Sequence, residues 1–435
     1  MNKADSTVRP KTKARPWWQR IPLTVQIIIA LILAVALGIA LGAGNPSPTN
    51  KAFIETLAIP AEMVLKALRA LATPLILMAV LHTFMTTHIP GRAGRRLAVL
   101  LFVNTTVAIF IGLVVANLMR PGSWGSLASP GTTEIAKRNF DPWGLLKDAV
   151  PQAILSPLVD NNVIQLIVVA LTFGIVLRAI KSEQVTAHKR GYQPIEDTIS
   201  VLFEAIIRVL HWVISLVPLA VFGIVAKTVA EKGFEPFKSL AAFVITVLVG
   251  LGLQACYYLM RVKFGSWVNP VNFLRGGTDA FLTAFSTDSS VATMPITFDI
   301  LQQKIGLRES SASLGALVGS NFNNDGTALY EAMSALFISQ VIGQNLNLAQ
   351  QLVVVLTSIF ASVGAAGIPE AGLVTMTLVF SSVGLPTEYI ALLVTVDWFL
   401  DRCRTVINVM GDMTVSALVD GKKPQSVGDR AQENN

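Results

Sequence analysis

The sequence predicts an all-α membrane protein that crosses the bilayer several times. Its 435 residues are 52% hydrophobic and only 14% charged, and the mean hydropathy is +0.59. Soluble domains carry about 25% charged residues, so composition alone excludes an ordinary soluble fold. Apolar runs long enough to span a bilayer recur between short basic segments. The formal charge of +7 therefore indicates cytoplasmic loops rather than a nucleic-acid surface.

The N-terminal tail, residues 1–20, is polar and basic, and we expect it to be cytoplasmic. The apolar run 21–44 follows it. A secretory signal peptide is the alternative, but the run is too long and lacks a convincing cleavage site. We therefore predict a retained first helix. Further spans are predicted at about 52–86, 95–119, 155–180, 196–230 and 237–263, with an external loop at 120–150.

Residues 21–265 carry almost no charge in the middle of their spans and are predicted to be mainly scaffold. Cys256 and Cys403 both lie in apolar segments, so no disulfide framework is implied. The four histidines form no cluster with cysteine, which argues against a transition-metal site. The tail 421–435 is polar and is predicted to be disordered.

Residues 266–420 differ because polar groups lie inside apolar stretches. The segment at about 270–303 is polar in its middle, too short to cross twice and too apolar for a loop. The segment at about 345–386 has two half-length apolar arms around Gly364-Ala365-Ala366-Gly367-Ile368-Pro369. Both predict re-entrant helical hairpins, because irregular backbone at membrane depth must be covered by protein or a wet cavity. A plain helix kink is the alternative for either stretch alone.

Between the two hairpins, a span at about 309–341 is interrupted by Asn321-Phe322-Asn323-Asn324-Asp325-Gly326-Thr327. A helix broken at this point would free backbone carbonyls, which suit hard cations, and would place a carboxylate beside them.

The last span, at about 387–420, carries a stripe of polar side chains: Asp397, Asp401, Arg404, Asn408 and Asp412. At about 100° per residue these five share an arc of roughly 80° on an α-helix, whereas Arg402 points elsewhere. A charge near the bilayer centre costs about 2.5–3.5 kcal/mol on insertion scales. The stripe therefore predicts a protein interior that holds a zwitterion and cations. Internal salt bridges with a purely structural role are the alternative.

Three motifs resemble the excitatory amino-acid/dicarboxylate:cation symporter family: NNDGTALYEAMSALFISQ at 323–340, ASVGAAGIPEAGLVTMTLVFSSVGLP at 361–386 and VDWFLDRCRTVINVMGD at 396–412. The residues of these motifs are more similar to those of the animal glutamate transporters than to those of the archaeal aspartate transporters. The resemblance is strong over residues of about 276–420. Before that it is weak, but the segments follow in the same order as in the family.

The resemblance implies eight transmembrane helices plus two re-entrant helical hairpins in an inverted-repeat, elevator-type transporter that assembles as a homotrimer. The N-terminal spans would form the trimer scaffold. The span around 95–119 would join residues 266–420 in a transport core that moves across the cell membrane.

The resemblance also implies roles for single residues in binding an acidic amino acid. Asp401 would receive the α-amino group, and Arg404 would bind the side-chain carboxylate with help from Thr327. Arginine offers a planar, permanently charged fork that fits a carboxylate, whereas Cys or Thr at that position would suit a neutral side chain.

Further substrate contacts are implied at Ser289, Ser290, Ile368, Gly372, Thr405 and Asn408. Asn408 and Ser290 would hold the α-carboxylate. The second hairpin, around Ile368 and Gly372, would contribute backbone contacts and act as a gate.

Sodium is the implied co-transported cation, and no organic cofactor is expected. One site would comprise the backbone of Gly319 with Asn323, Asn408 and Asp412. A second would comprise Thr105, Thr106, Asn323 and Asp325. A third would use backbone carbonyls near Asn321, Asn324, Ser362, Val363 and Ala365. For Thr105 and Thr106 alone, hydroxyls bonded back to their own helix are the alternative.

The sequence departs from the family pattern at three places. Asn324 replaces a methionine that is tied to sodium coupling, and Val291 replaces a serine. Asp288 stands where archaeal members carry arginine, whereas animal members carry that arginine at the position of Arg402. We therefore expect Asp288 and Arg402 to approach each other. Glu331 matches a carboxylate linked to proton and potassium coupling, and a hydrogen-bonded buried acid is the alternative.

The function that follows is sodium-driven uptake of L-aspartate or L-glutamate. Proton coupling and a C4-dicarboxylate substrate are the alternatives within the transporter class, although a substrate without an amine would leave Asp401 unpaired. A substrate-gated anion channel is a further alternative. A membrane enzyme is disfavoured because the sequence offers no nucleophile–base pair or metal triad.

Overall fold

The structure is a computed structural model that describes residues 21–86, 91–124, 147, 150–160, 162–364 and 371–422. All regular secondary structure in this part of the chain is helical, as the sequence predicts. The N-terminal half contains α1 (Leu23–Leu41), α2 (Lys51–Thr56), α3 (Ile59–Thr86), α4 (Gly91–Met119), α5 (Ser156–Val159), α6 (Val163–Thr186), α7 (Gln193–Ile214), α8 (Val217–Lys232) and α9 (Glu235–Gly265).

Within the ranges given above, six helical stretches are long and apolar enough to cross a membrane: Leu23–Leu41, Pro48–Thr86, Gly94–Ser123, Gln165–Thr186, Gln193–Lys232 and Glu235–Gly265. The fifth stretch bends between α7 and α8, where Pro218 cannot donate a helical hydrogen bond. The expected total of eight spans stays a prediction. Of the two remaining spans, one is interrupted and the other carries several charges.

The first predicted hairpin consists of α10 (Pro270–Thr287) and α11 (Ser290–Ile300), which continues as a π-helical turn, Leu301–Ile305. The chain reverses at Asp288, which has left-handed backbone (φ 55°). Ser289 then caps α11 by accepting a hydrogen bond from the Ala292 amide at 3.1 Å.

The interrupted span begins with α12 (Glu309–Ser313), a π-helical segment, Leu314–Gly319, and α13 (Ser320–Phe322). Asn323 (φ −95°, ψ 86°) and Asn324 (φ −114°, ψ 49°) leave helical geometry before α14 (Asp325–Val341) starts. The helical hydrogen bonds are therefore interrupted at Asn323 and Asn324, directly before Asp325. The π-helical segment that precedes them is also of a kind that is frequent at functional sites.

The second predicted hairpin consists of α15 (Leu348–Gly364) and α16 (Ala371–Ser382). The start of α15 is fixed by a reciprocal cap, in which the Gln350 amide donates to Asn347 Oδ1 and the Asn347 amide donates to Gln350 Oε1, both at 2.9 Å. The tip at 365–370, which includes the predicted site residues Ala365 and Ile368, lies outside the described residues.

The last helix, α17 (Ile390–Asp420), is the centre of the C-terminal half. It packs against α9, α10, α14 and the π-helical segment Leu314–Gly319. Most of its 31 residues are buried, so its polar stripe faces protein on all sides.

Candidate functional site

The polar stripe of α17 is buried, as the helical period predicts. Asp397, Asp401, Arg404, Asn408 and Asp412 are each 6% exposed or less. Arg402, which the period places on another face, keeps 19% of its side chain exposed. The five residues therefore form one polar interior along about four helical turns.

Arg404 is completely buried and its guanidinium is held on three sides. Its Nη1 donates to Asp397 Oδ1 at 2.9 Å and its Nη2 donates to Asp401 Oδ1 at 2.6 Å. The guanidinium carbon lies 4.0 Å from the ring centroid of Tyr330, a cation–π contact. Nε is buried and has no hydrogen-bond partner among the described residues. The internal salt bridges considered from the sequence are thus present, but they leave this guanidinium nitrogen without an acceptor in that part of the chain.

Gly372, at the start of α16, lies against Arg404. A Cβ at Gly372 would be 3.2 Å from Arg404 Nη2 and 3.3 Å from Nη1. A side chain at this position would require the guanidinium to shift by a few tenths of an ångström. The structure therefore brings the predicted gate and the predicted carboxylate-binding residue together.

Asn408 joins α17 to the break before α14. Its Oδ1 accepts a hydrogen bond from the Gly326 amide at 2.8 Å, which satisfies a backbone donor freed by the break. Its Nδ2 lies 3.4 Å from both Asn324 Oδ1 and Thr327 Oγ1. Thr405 is buried on the same helix. The predicted substrate residues of these two elements therefore share one site.

Ser290 comes to the same region from the first hairpin. Its hydroxyl donates to the Ser320 carbonyl at 3.1 Å, next to the break. Ser289 is buried and caps α11. The structure thus ties the tip of the first hairpin to the interrupted span.

The first predicted cation set is brought together around Asn323. Its Nδ2 donates to the Asn408 carbonyl and to Asp412 Oδ1, both at 3.0 Å, while its buried Oδ1 has no partner in the part of the chain that the structure describes. A Cβ at Gly319 would be 2.7 Å from Asp412 Oδ1, so this position must lack a side chain. A backbone carbonyl oxygen and a carboxylate oxygen therefore converge on the Asn323 amide nitrogen.

The second predicted set is brought together in part. Thr105 donates to Asp325 Oδ1 at 2.6 Å, and the Tyr258 hydroxyl donates to Asp325 Oδ2. Thr106 instead donates to the Phe102 carbonyl of its own helix at 2.7 Å. This differs from the expected set because adjacent residues on α4 point about 100° apart, so only one hydroxyl faces Asp325.

The third predicted set shows one direct link, from Asn324 Nδ2 to the Ser362 carbonyl at 2.9 Å. The Asn321 side chain bonds to the Leu317 carbonyl of its own helix at 3.2 Å. Val363 lies in the last turn of α15. Asn324, which departs from the family pattern, thus connects the break to the second hairpin.

Glu331 is completely buried on α14. Thr375 of α16 donates to its Oε1, and none of the described residues bonds to its Oε2. The hydrogen-bonded buried acid considered from the sequence is therefore what the structure contains, with one oxygen unsatisfied.

The expected approach of Asp288 and Arg402 is confirmed, with Arg402 Nη2 at 2.8 Å from Asp288 Oδ2. Arg402 Nη1 also donates to the carbonyls of Phe285 at 2.8 Å and Ser286 at 3.0 Å. A cation that satisfies the last carbonyls of a helix is a favourable C-terminal cap. Arg402 therefore stabilises the end of α10 and the left-handed turn after it.

Sequence reasoning missed several residues that contact the site. Tyr330, Tyr258 and Thr375 bind Arg404, Asp325 and Glu331 respectively. For Tyr258 the available signal was a tyrosine in an apolar span, because a buried phenol usually has a hydrogen-bond partner. Tyr258 also shows that α9, placed in the scaffold from its composition, contributes to the site.

A cavity of about 540 Å³ lies between α3, α8 and the start of α17, and none of the predicted site residues is among the described residues that line it. Of the elements around the predicted site, the second hairpin approaches Arg404 directly through Gly372.

Comparison with known proteins agrees with this geometry. The chain matches the sodium:dicarboxylate symporter family over residues 23–422. It belongs to that family. The resemblance noted from the three motifs is thereby confirmed, and it extends over nearly the whole chain.

Similar proteins include excitatory amino acid transporter 4 of Mus musculus, which is 32% identical over 84% of this chain and 78% of its own length. Excitatory amino acid transporter 3 of Homo sapiens is 30% identical over 83% of the chain and 78% of its length. Excitatory amino acid transporter 1 of Mus musculus is 39% identical over a shorter match, 60% of the chain and 47% of its length. The chain is therefore a multi-pass transport protein of the cell membrane.

Proposed function

We propose that the protein is a secondary active symporter that takes up L-aspartate or L-glutamate with sodium. The observation that carries the proposal is an excess of buried negative charge. Apart from Asp420, which pairs with Arg308, the described residues bury five carboxylates and a single guanidinium around the break and the last helix: Asp325, Glu331, Asp397, Asp401, Asp412 and Arg404. A structural cluster would be expected to balance its charges, because an unpaired buried ion costs several kcal/mol.

A zwitterionic acidic substrate matches the charges around Arg404. The guanidinium presents a fork to a side-chain carboxylate, and Asp401 presents a negative charge to an ammonium. In the structure Arg404 Nη2 is bound to Asp401 at 2.6 Å. A substrate bearing both groups would replace this internal pair with two external ones. A C4-dicarboxylate lacks the ammonium and would leave Asp401 without a counter-charge.

Sodium fits the oxygens around Asn323. Its amide nitrogen now bridges the Asn408 carbonyl and Asp412 at 3.0 Å each. Rotating the amide would turn its unpartnered Oδ1 to the same point, giving three oxygen ligands to a hard cation. This rotation would convert a hydrogen-bonded cluster into a cation site with little backbone movement.

The division into a scaffold (about 21–265) and a transport core (about 266–420, with the span at 95–119) remains part of the proposal, as does the homotrimer. In the elevator-type mechanism that the family resemblance implies, the core would slide along the scaffold. Arg402 Nη2 donates to Thr24 Oγ1 of α1 at 3.0 Å, a contact that such a movement would break.

Proton coupling is the second candidate, and Glu331 favours it. This carboxyl is fully buried with one oxygen lacking a partner, so carrying a proton would remove an uncompensated charge. Proton and sodium coupling can coexist in one transporter.

Uptake of labelled aspartate into proteoliposomes, with sodium, proton and potassium gradients imposed separately, tests the proposal. We expect uptake against a concentration gradient only when sodium is directed inward, and a further increase with inward protons if Glu331 couples them. Accumulation that is independent of sodium would contradict sodium symport. Aspartate-elicited current without accumulation would indicate the channel alternative.

A further inference from the structure

A groove of about 530 Å³ lies where α4 and α9 meet the end of α17. Its lining includes two arginines and several apolar or aromatic side chains: Arg96, Leu100, Tyr257, Met260, Arg261 and Phe264. Among the described residues, no acidic side chain lines it. The groove is therefore a positively charged recess with an apolar wall.

The two helices that flank the groove expose apolar faces. On α4, Val99 and Phe102 are exposed, and on α9, Leu253, Met260 and Phe264 are exposed, the last to 69%. Both helices are long and apolar enough to cross a membrane. Since exposed apolar faces of membrane helices contact acyl chains, the groove opens toward lipid rather than toward a substrate path.

Both arginines lie at headgroup depth on one side of the membrane. Arg96 is in the second turn of α4, which starts at Gly91, and Arg261 is in the last turns of α9, which ends at Gly265. The flanking basic residues place these helix ends on the cytoplasmic side, where anionic lipids bind basic recesses between helices.

The arginines are positioned by neutral partners. Arg96 Nη2 donates to the Leu418 carbonyl at 2.7 Å. Arg261 Nη1 donates to Asn104 Oδ1 at 2.8 Å and to the Tyr257 hydroxyl at 2.7 Å. Within the described residues neither arginine forms an ion pair with a carboxylate, unlike Arg308, Arg402 and Arg404. Guanidinium groups that are held in place without a directly bonded carboxylate are suited to a phosphate, which the arginine fork binds bidentately.

We propose that this groove binds the phosphate headgroup of an anionic phospholipid, whose acyl chains lie along α4 and α9. A cationic pair that served only to orient the protein in the membrane would need no recess and no apolar wall beside it. The groove supplies both, together with fixed guanidinium orientations.

The test is native mass spectrometry of the purified, delipidated full-length chain titrated with phosphatidylglycerol or phosphatidylcholine of the same acyl composition. We expect preferential retention of phosphatidylglycerol by the unaltered protein. Arg96→Gln and Arg261→Gln should each weaken its binding about fivefold, the usual effect of one basic residue at an anionic surface. Arg275→Gln is the matched control, because Arg275 is exposed at the start of α10, on the same side but outside the groove.

Thermal unfolding in lipid-free detergent checks that the variants fold. If Arg96→Gln or Arg261→Gln unfolds, Arg96→Lys and Arg261→Lys are used in its place, because lysine keeps the positive charge but lacks the planar guanidinium. Equal retention of the two lipids, or equal weakening by Arg275→Gln, would overturn the proposal. Displacement of phosphatidylglycerol by an equal concentration of glycerol phosphate would also overturn it, because the site would then be one for soluble phosphate.

Discussion

Replacing Arg404 by Cys removes the only guanidinium in the buried carboxylate cluster. In the structure this group bonds to Asp397 at 2.9 Å and to Asp401 at 2.6 Å, and it is completely buried. The substitution therefore has two separable consequences: it leaves two carboxylates without their counter-charge, and it removes the group proposed to bind the substrate side chain.

Each consequence has an expected magnitude. Removing one partner of a buried ion pair destabilises a protein by about 3–5 kcal/mol. Losing a buried charged partner at a binding site costs about 2–5 kcal/mol, which corresponds to about 30-fold to about 5000-fold weaker aspartate binding. The cysteine leaves a small uncharged pocket, so neutral amino acids should now compete with aspartate.

The assay is sodium-dependent uptake of labelled aspartate and of labelled serine by Arg404→Cys in proteoliposomes, with thermal unfolding of the same sample. The double variant Asp397→Asn with Arg404→Cys is the control, because it removes one unpaired carboxylate along with the guanidinium. We expect it to recover stability without recovering aspartate uptake. A folded Arg404→Cys protein with unchanged aspartate affinity would refute the assignment of Arg404 to the substrate.

Three further results are expected. Asp401→Asn should weaken amino-acid binding at least tenfold, because the substrate ammonium loses its counter-charge. Titration calorimetry with aspartate measures the affinity, and an unchanged value would contradict the role of Asp401. Asp412→Asn should raise the sodium concentration needed for half-maximal uptake more than it raises the corresponding aspartate concentration; the reverse order would argue against a cation role. Gly223→Ala should destabilise the protein by about 1–3 kcal/mol, because the added Cβ would lie 1.9 Å from the Leu57 carbonyl oxygen. Gly252→Ala is the control and should not destabilise the protein, because nothing lies within 4 Å of a Cβ added there. Equal thermal stability of the two glycine variants would show that the contact between α8 and Leu57 is not tight.

The sequence could predict features that depend on neighbours along one helix. The burial of the α17 stripe follows from a period of 3.6 residues, and the break at Asn323 follows from amides and glycine inside an apolar span. The pairing of Asp288 with Arg402 was predicted because archaeal members of the family carry an arginine at the first position and animal members carry it at the second.

Contacts between distant segments could not be predicted in the same way. Tyr258 lies 67 residues from Asp325 in sequence, and Thr375 lies 44 residues from Glu331. Their contacts depend on how α9 and α16 pack, which no local pattern specifies. Thr106 illustrates the opposite error, since its sequence neighbour Thr105 faces the site while Thr106 bonds to its own helix.

The most direct test of the central claim is calorimetric titration of the purified protein with L-aspartate at a series of sodium concentrations, with choline replacing sodium. The excess of buried carboxylates predicts saturable heat whose apparent affinity rises steeply with sodium, and little or no heat in choline alone. Aspartate binding of equal strength in both salts, or no binding of any acidic amino acid at any sodium concentration, would contradict the account.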